Sequence, residues 1–319
     1  MQRFKAMSSV VLLCVGAACG AEETESEMTT GAPQPNAEAS SIDDRGYSAS
    51  ARLVTTGWVQ EHVGDPSMLL IDLRPREEYD AGHIPGAAHL PAKETFQADD
   101  ARGVPGMLPT SGYIADALGS IGATPETTLV FYDDAQSLWS ARAIWALSVY
   151  KHPDARLMDG AWKLWKVEGR PTSDTAPTNN PSQYAFKGSP DTSIVATWSD
   201  VVASIHDPET LVCDTRSVAE YEGESVRSAR GGHVPGSVLI EWNQAVGETG
   251  EFLPADELRS LYDSAGVTGD HVTFTMCQSG VRAAHTWFVL TDLLGYDDVR
   301  MYDGSWVEYG NREDSPIAN

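Results

Sequence analysis

Met276-Cys277-Gln278-Ser279-Gly280-Val281-Arg282-Ala283 is the stretch that decides the fold of this chain. It follows an apolar run, Val272 to Met276, and opens a segment with apolar residues at helical spacing that ends near Leu294, with Gly295 as the expected helix stop. A cysteine between a buried strand and a helix start lies where backbone N–H groups and the positive helix end converge on its sulfur. This placement favours thiolate over thiol, so the loop is predicted to bind a small anion.

The length of this loop distinguishes between anions. Four residues separate Cys277 from Arg282, whereas cysteine phosphatases use a loop that is one residue longer to wrap a tetrahedral phosphate. The tighter ring suits one extra sulfur atom on the cysteine better than a phosphoryl group. A phosphatase or arsenate reductase with a related fold is therefore an alternative function, but the short spacing between Cys277 and Arg282 argues against it.

The N-terminal residues have the pattern of an export signal. Basic Arg3 and Lys5 precede a short run of apolar and small residues, Val10 to Ala18, which is too short to span a membrane. Residues 1–19 are therefore predicted to be a signal peptide, and Cys19 stands where a bacterial lipoprotein is cleaved and lipidated. We expect an exported protein of the bacterial cell envelope or periplasm, held at the membrane only by this lipid. Plain cleavage and release is the alternative.

Composition separates a tether from the folded part of the chain. Residues 20–48 are rich in Ala, Glu, Thr, Ser and Pro and almost lack large apolar side chains, so they are predicted to be a disordered tether. About 270 residues remain, which suits two domains. The formal net charge of -24, from 22 basic and 46 acidic residues, argues against nucleic acid or an anionic membrane surface as partner.

An internal repeat organises the rest of the chain. The first copy contains Leu70-Ile71-Asp72-Leu73-Arg74, Glu78-Tyr79 and Gly82-His83-Ile84-Pro85-Gly86. The second contains Val212-Cys213-Asp214-Thr215-Arg216, Glu220-Tyr221 and Gly232-His233-Val234-Pro235-Gly236, with eight extra residues before its last motif. Later in each copy, Met158-Asp159-Gly160-Ala161-Trp162 matches Tyr302-Asp303-Gly304-Ser305-Trp306.

Each copy alternates short apolar runs with helix-like segments, which predicts an α/β fold built twice, each time as a parallel sheet with helices on both faces. The apolar runs are Met68 to Ile71, Thr128 to Tyr132, Leu211 to Cys213 and Val272 to Met276, and the helix-like segments include Ser137 to Tyr150 and Glu257 to Ala265. Four prolines and many Ser, Thr and Asn mark Pro171 to Pro190 as a linker region. The predicted bounds are 49–174 for the first domain, 175–192 for the linker and 193–319 for the second domain.

These motifs, in this order and duplicated, resemble those of the two-domain rhodanese-like sulfurtransferases, the family of thiosulfate and 3-mercaptopyruvate sulfurtransferases. The resemblance covers roughly Ser50 to Asn319, and it implies two tandem rhodanese-like domains. In the first copy the counterpart of the Cys277 loop, Phe131 to Ser137, contains no cysteine. The first domain therefore cannot hold a persulfide, and we expect a non-catalytic partner that walls one side of the cleft.

The reaction that the resemblance implies is sulfane-sulfur transfer in two halves. The Cys277 thiolate attacks the outer sulfur of a donor such as thiosulfate, sulfite leaves, and the resulting persulfide gives its sulfur to cyanide or a thiol. The loop residues that are expected to hold the substrate and the persulfide charge are Gln278, Ser279, Gly280, Val281 and Arg282. The partners are thus a small sulfur donor and acceptor, and no metal or organic cofactor is implied.

The residues around the loop bear on the choice of donor. Mercaptopyruvate-using relatives carry arginines where this chain has Ala219-Glu220-Tyr221-Glu222-Gly223, and glutamates repel a carboxylate, so mercaptopyruvate is disfavoured. Vertebrate-type thiosulfate enzymes carry a Lys where this chain has Ser279. Arg282 is predicted to supply that positive charge, with Arg216 as the second candidate. Trp139 is expected to pack in the interior or to line the cleft.

Several residues have a structural interpretation beside the functional one. Arg216 either contacts thiosulfate or pairs with a carboxylate to hold its turn, since Arg74 occupies the same place in the inactive copy. Arg282 either binds an anion or points to solvent from the first helical turn. Arg227 and Arg230, in the eight-residue insertion, are the remaining candidates for a donor contact.

Other polar residues are assigned to structure. His83 and His233 lie in Gly-His-x-Pro-Gly turns and are predicted to hold those turns. Cys213 is predicted to be a buried, inert thiol rather than a disulfide partner of Cys277. His285, one turn into the catalytic helix, is predicted to pack in the core.

Three functional classes remain: an envelope thiosulfate sulfurtransferase, a phosphatase or arsenate reductase, and a carrier that takes persulfide sulfur from a partner and turns over poorly with free thiosulfate. Both the first and the third class need the same anion-binding loop, so the sequence does not separate them. The oligomeric state is likewise left open by the sequence.

Overall fold

The computed structural model describes residues 42 to 319. The predicted signal peptide with Cys19 and residues 20–41 of the predicted tether lie outside the described residues. Within the described part, no helix has the length and apolar character needed to cross a membrane.

The first half of the described chain forms a parallel sheet. Its strands are β1 (Leu53–Val54), β2 (Met68–Asp72), β3 (Ala88–His89), β4 (Thr128–Tyr132) and β5 (Ala155–Met158). The helices are α1 (Thr56–His62), α2 (Arg76–Ala81), α3 (Ala92–Phe96), α4 (Ser111–Ser120), α5 (Leu138–Val149) and α6 (Ala161–Val167). The strand order is β1-β5-β4-β2-β3, and every neighbouring pair is parallel.

The second half repeats this topology. Its strands are β6 (Val195–Ala196), β7 (Thr210–Asp214), β8 (Val238–Leu239), β9 (Val272–Met276) and β10 (Val299–Tyr302). The helices are α7 (Trp198–Ser204), α8 (Val218–Tyr221), α9 (Ala255–Ser264), α10 (Val281–Phe288) and α11 (Ser305–Tyr309). The order β6-β10-β9-β7-β8 is that of the first sheet, and again all pairs are parallel.

Both faces of each sheet are covered, which explains the continuous apolar runs of the central strands. In β4, Val130 packs in an outer cluster with Val59 of α1 and Trp165 of α6. Its neighbour Phe131 faces the inner cluster, which contains Ile144 of α5. Successive strand residues thus reach opposite faces. The prediction of two parallel sheets with helices on both faces is confirmed.

The two halves share one inner core. Helix α5 of the first half packs against α10 of the second. One continuous cluster of buried apolar side chains contains Trp145 and Leu147 of α5 together with Ala284 and Phe288 of α10. The first half is therefore bound to the second through apolar packing beneath the Cys277 loop.

The helix after the loop changes form before it ends. Regular α geometry stops at Phe288, and a π-helical turn follows at Val289–Leu293. The hydroxyl of Thr291 donates to the carbonyl of Trp287 at 2.8 Å and so competes for an acceptor of the regular ladder. The segment ends where the sequence predicted, because Gly295 takes a φ of 73°.

The expectation that the tether extends to residue 48 is wrong for residues 42–48. A 3-10 turn at Ile42–Arg45 places Arg45 in the interior, where its Nη1 lies 2.6 Å from Asp159 Oδ2. Burial raises the pKa of Asp159 to about 6, although the Arg45 charge opposes this rise. Arg45 also donates to the carbonyl of Phe252 at 3.1 Å, so this segment joins both halves.

The predicted linker, residues 175–192, contains no helix or strand but is held against the first half. The backbone N–H of Ser182 donates to the carbonyl of Gly119 at 2.8 Å, and the Tyr184 hydroxyl lies 2.7 Å from His152 Nδ1. Its irregular backbone is thus fixed by polar contacts with α4 and with the turn after α5.

Arg45→Gln is expected to lower the free energy of unfolding by about 3 kcal/mol, because it leaves the Asp159 carboxylate buried without its cation. Urea unfolding at pH 7 measures this change. Arg76→Gln is the control: its ion pair with Asp80 is 64% and 55% exposed, so its loss should cost less than about 1 kcal/mol. Equal losses for the two variants would contradict the assignment.

Candidate active site

The cysteine that is predicted to be reactive lies at the carboxyl end of the central strand of the second sheet. Cys277 directly follows β9, between β7 and β10, and only 1% of its surface is exposed. Its backbone N–H donates to Ser305 Oγ at 3.1 Å, and its carbonyl accepts from the Trp306 N–H at 2.9 Å. The segment after β10 therefore fixes the backbone at the sulfur.

The loop leaves a set of backbone donors open. Gly280 takes a φ of 78° at the N-terminus of α10, which turns the chain tightly around the cysteine. Within the described residues, the N–H groups of residues 278 to 282 have no protein acceptor. Free N–H groups at a helix start form an anion site.

The first half shows an anion in the equivalent loop. Asp133 follows β4 as Cys277 follows β9, and its carbonyl accepts from Trp162 N–H at 2.9 Å, as Cys277 does from Trp306. The Asp133 carboxylate is fully buried in its own loop. It accepts hydrogen bonds from the N–H groups of Ala135 (2.8 Å), Ser137 (3.0 Å) and Ser140 (2.8 Å), and from Ser140 Oγ (2.7 Å).

Burial raises the pKa of Asp133, while these hydrogen bonds hold it down. The first half thus fills its own loop with an acidic side chain. In the second half the cysteine stands where the carboxylate stands in the first, and the donors of its loop are left open.

Arg282 is already paired at the rim of the loop. Its Nη1 and Nη2 donate to Glu220 Oε2 and Oε1 at 2.7 and 3.0 Å, and the guanidinium side chain is 17% exposed. Glu220 belongs to α8, where it forms a capping box with Ser217. Arg227 approaches the same carboxylate at 3.3 Å. Arg282 therefore reaches neither into solvent nor to a free anion, and a donor contact by this residue stays a prediction.

This pairing determines the charge state of both groups. Burial favours the neutral acid, but hydrogen bonding and charge from Arg282 overcome it and lower the pKa of Glu220 to about 2. Burial disfavours the cation of Arg282, yet Glu220 and the neighbouring Cys277 sulfur raise its pKa above the ordinary value. Both side chains are charged at neutral pH.

Arg216 is directed at its own turn. Its Nε and Nη2 bind both oxygens of Asp214 at 2.6 to 3.0 Å, and its Nη groups also donate to the carbonyls of Glu220 and Gly232. The guanidinium is 1% exposed and lies 4.2 Å from the centre of the Trp306 ring. This geometry favours the turn-holding role over the predicted substrate contact.

Arg74 in the inactive half has the same arrangement. It binds Asp72 and the carbonyl of Gly82, and it lies 4.1 Å from the Trp162 ring. The Asp-x-Arg element is thus a shared device that holds the turn after the second strand of each sheet.

The walls of the loop come from two places. From the first half, Gln97 Nε2 donates to the Ser279 carbonyl at 2.8 Å. From the insertion, Ser228 Oγ accepts from Gln278 Nε2 at 3.3 Å. Arg230 of the insertion is turned away, since it donates to the carbonyls of Arg312 and Ser315.

Trp139, in the first turn of α5, packs partly buried against the inner core and lines a cavity of about 580 Å³ beside Arg74 and Asp134. This cavity includes Asp134 of the first-half loop. The structure therefore places Trp139 partly in the inner core and partly at that cavity.

The residues assigned to structure have the expected surroundings. Cys213 and Cys277 are both free thiols, and burial raises the pKa of Cys213. His83 and His233 stack on Tyr79 and Tyr221, with ring centres 3.9 and 3.8 Å apart.

His285 is fully buried beside Phe252, with ring centres 4.9 Å apart, and burial lowers its pKa to about 3. It is therefore a neutral core residue at physiological pH. Among residues 42 to 319, no group of three or more His, Cys, Asp and Glu side chains is placed to hold a metal ion.

Sequence reasoning missed the buried pair of Arg142 and Asp303. The Asp303 motif was noted only as a repeat. Arg142 gave one signal, a charged residue within the apolar stretch Ala141 to Leu147. A cation at such a place requires a partner when buried, but the sequence does not show which one.

Within residues 42 to 319, two α/β repeats of one topology, one with a cysteine in the loop after its central strand and one with an aspartate there, define a tandem α/β protein with one cysteine-centred candidate site. The family model of the rhodanese-like domain matches residues 55–168 and 197–312. The chain belongs to the rhodanese family of sulfurtransferases.

Similar proteins cover nearly all of the folded chain. "Sulfur carrier protein TtuD" of Thermus thermophilus is 36% identical over 287 residues, covering 86% of this chain and 98% of TtuD. "Putative thiosulfate sulfurtransferase SseA" of Mycobacterium bovis is 36% identical, covering 85% of this chain and 92% of SseA. The anaerobic ergothioneine biosynthesis enzyme of Chlorobium limicola, in complex with trimethyl histidine, shares the fold with a TM-score of 0.75 at 20% identity, covering 86% of this chain and 71% of that enzyme.

Glu220→Gln is expected to flatten the acid dependence of stability. The pKa of Glu220 is lowered from 4.5 to about 2 in the folded state, so its contribution is present above pH 4.5 and is lost as the pH falls toward 2. Melting temperatures measured from about pH 5 to pH 2 should fall less steeply in the variant than in the wild type. Glu222→Gln, which breaks no ion pair within the described residues, should keep the wild-type slope; a wild-type slope for Glu220→Gln would refute the pairing.

Proposed function

We propose that this protein is a sulfurtransferase that takes sulfane sulfur from thiosulfate onto Cys277 and passes it to cyanide or a thiol. The proposal is carried by the contrast between the two loops. One loop satisfies its donors with the Asp133 carboxylate, and the other leaves them open around Cys277. A persulfide anion on Cys277 is a group of the right charge for those donors.

The proposed reaction proceeds in two displacement steps. The Cys277 thiolate attacks the outer sulfur of thiosulfate, a sulfur–sulfur bond forms, and sulfite leaves with the electron pair of the broken bond. The persulfide then carries one negative charge on its outer sulfur, beside the N–H groups of residues 278 to 282. An acceptor thiolate or cyanide attacks that sulfur, and the Cys277 thiolate leaves with the bonding pair.

Arg282 has a defined part in this scheme. Its guanidinium is held at the rim by Glu220 through two N–H groups. A guanidinium has five N–H groups, so three remain beyond the two that bind Glu220, and in this proposal they donate to the oxygens of an incoming thiosulfate. Mercaptopyruvate is the alternative donor, and Glu220 disfavours its carboxylate.

A sulfur carrier is the second candidate function. The relative TtuD is named as one, and Cys277 is only 1% exposed. Glu220 also already balances the charge of Arg282, so the electrostatic attraction between this site and a free thiosulfate dianion is weaker. In this alternative, persulfide sulfur arrives from a partner and free thiosulfate reacts slowly.

Export and lipid attachment at Cys19 are further proposals. They are supported by the basic, apolar and small residues of the first 19 positions. We propose a location in the cell envelope, with the tether between the lipid and the folded part. Mass spectrometry of the protein purified from membranes of the source bacterium tests for a lipid on Cys19; an intact N-terminal Met would refute processing there.

Cys277→Ser is expected to abolish sulfur transfer with the fold intact, since an oxygen replaces a sulfur at nearly the same volume. Intact mass of residues 20–319, recorded after thiosulfate and again after cyanide, measures the persulfide. The wild type should gain about 32 Da and lose it to cyanide. Cys213→Ser is the matched control and should still gain sulfur.

Each other outcome of this mass experiment has a defined meaning. A gain in Cys277→Ser would show that the wrong residue was chosen. A gain only with mercaptopyruvate would change the donor, and a gain only from a protein persulfide would favour the carrier.

Arg282→Gln is expected to raise the KM for thiosulfate about tenfold, which corresponds to the loss of one charged hydrogen bond. Steady-state assays with cyanide as acceptor measure it. Arg76→Gln, on the surface of the first half, serves as the control. An unchanged KM in Arg282→Gln would mean that Arg282 does not meet the donor.

A further inference from the structure

A buried ion pair joins the two halves directly behind the Cys277 loop. Arg142 of α5 comes from the non-catalytic half, and its Nη1 lies 2.6 Å from Asp303 Oδ1, with side-chain exposures of 0% and 7%. A Cβ added to Gly280 would lie 2.9 Å from each of these two atoms. The pair therefore touches the backbone of the loop that carries Cys277.

Both charged groups are fixed by the first half. Arg142 donates to the carbonyls of Phe96 and Gly106 at 3.2 and 3.3 Å. The other oxygen of Asp303 accepts from the Leu108 N–H at 2.7 Å. Phe96, at the end of α3, and Gly106 and Leu108, before α4, thus hold the pair in place.

Asp303 is also linked to the backbone of the cysteine. Two residues after it, Ser305 accepts from the Cys277 N–H. The next residue, Trp306, donates to the Cys277 carbonyl. Movement of Asp303 would therefore move the contacts on both sides of the reactive residue.

The first copy of the repeat contains an equivalent buried ion pair, but its arginine does not come from the helix that packs against the loop. Asp159, the counterpart of Asp303, also binds an arginine at 2.6 Å and accepts from an N–H of the opposite half, that of Phe252. Its cation is Arg45, from the segment before β1. The fifth residue of α10, which corresponds to Arg142 as the fifth residue of α5, is the uncharged His285.

We propose that Arg142 and Asp303 are positioning residues for sulfur transfer. The non-catalytic half delivers a cation against the back of the Cys277 loop, and Asp303 balances it. The pair fixes the loop amides in their anion-binding arrangement and sets the charge that the Cys277 sulfur meets. This inference rests on the proposed function only for the identity of the anion.

The two members of the pair should act on the sulfur with opposite sign. Without the guanidinium, a buried carboxylate at position 303 faces the loop and disfavours an anionic sulfur. Without the carboxylate charge, an unbalanced cation at position 142 favours it. The charges on the outer side of the loop, Arg282 and Glu220, are the same in all these variants.

The test is the rate of Cys277 alkylation by iodoacetamide as a function of pH, followed by peptide mass. In Arg142→Gln the midpoint of the pH–rate profile should rise by about one unit or more, and in Asp303→Asn it should fall. The double variant should return toward the wild-type midpoint. If Arg142→Gln does not fold, Arg142→Lys replaces it: this variant keeps the charge and should keep the wild-type midpoint. In that case the lower alkylation midpoint expected for Asp303→Asn remains the test.

Arg45→Gln and Asp159→Asn are the matched controls. They break the equivalent buried pair and should lower the melting temperature without moving the alkylation midpoint. An unchanged midpoint in Arg142→Gln and Asp303→Asn, or equal shifts in the controls, would overturn the inference. Alkylation needs no sulfur donor, so a wild type that gains no sulfur from any donor would refute the proposed function and leave this test intact.

Discussion

The structure depends on what satisfies the backbone N–H groups of the loop that follows the central strand of each sheet. Buried donors need an acceptor, and a tight turn into a helix start gathers several of them at one point. In the first half Asp133 supplies the acceptor permanently. In the second half the side chain at that position is a cysteine. A cysteine supplies no carboxylate acceptor, so the donors of its loop stay open to an external anion.

The duplicated architecture repeats the same supporting contacts in both copies and varies the loop between them. Both copies use the same Asp-x-Arg pair to hold a turn, and both use an aspartate after the fifth strand to bind an arginine. They differ at the loop and at the third residue of the helix that follows it, which is Ser140 in the first copy and Ala283 in the second. Ser140 donates to Asp133. Small changes on one scaffold thus turn an internally satisfied loop into one that is open to a ligand.

The sequence predicted what local patterns and the repeat encode. Alternating apolar runs predicted both sheets, and the contrast between Cys277 and the cysteine-free Phe131 to Ser137 pointed to the half whose loop donors are open. It did not predict the pairs Arg282–Glu220 and Arg142–Asp303, whose members are 62 and 161 residues apart. The first pair depends on how α8 and α10 pack within the second half, and the second depends on how the two halves dock. No local periodicity reports either arrangement. Residues 42–48 were misassigned for the same reason, because the partner that fixes Arg45 is Asp159.

The inner core shared by α5 and α10 has a consequence for how such a chain can change over generations. Because α5 and α10 bury their apolar faces against each other, deletion of the first half would expose the apolar face of α10 to solvent. The first half therefore supplies the second with an apolar inner surface, whatever its own loop binds. Duplication followed by mutual burial thus couples the two halves. Each half can change its own loop, but neither could become a separate domain unless polar residues first replaced its buried apolar face.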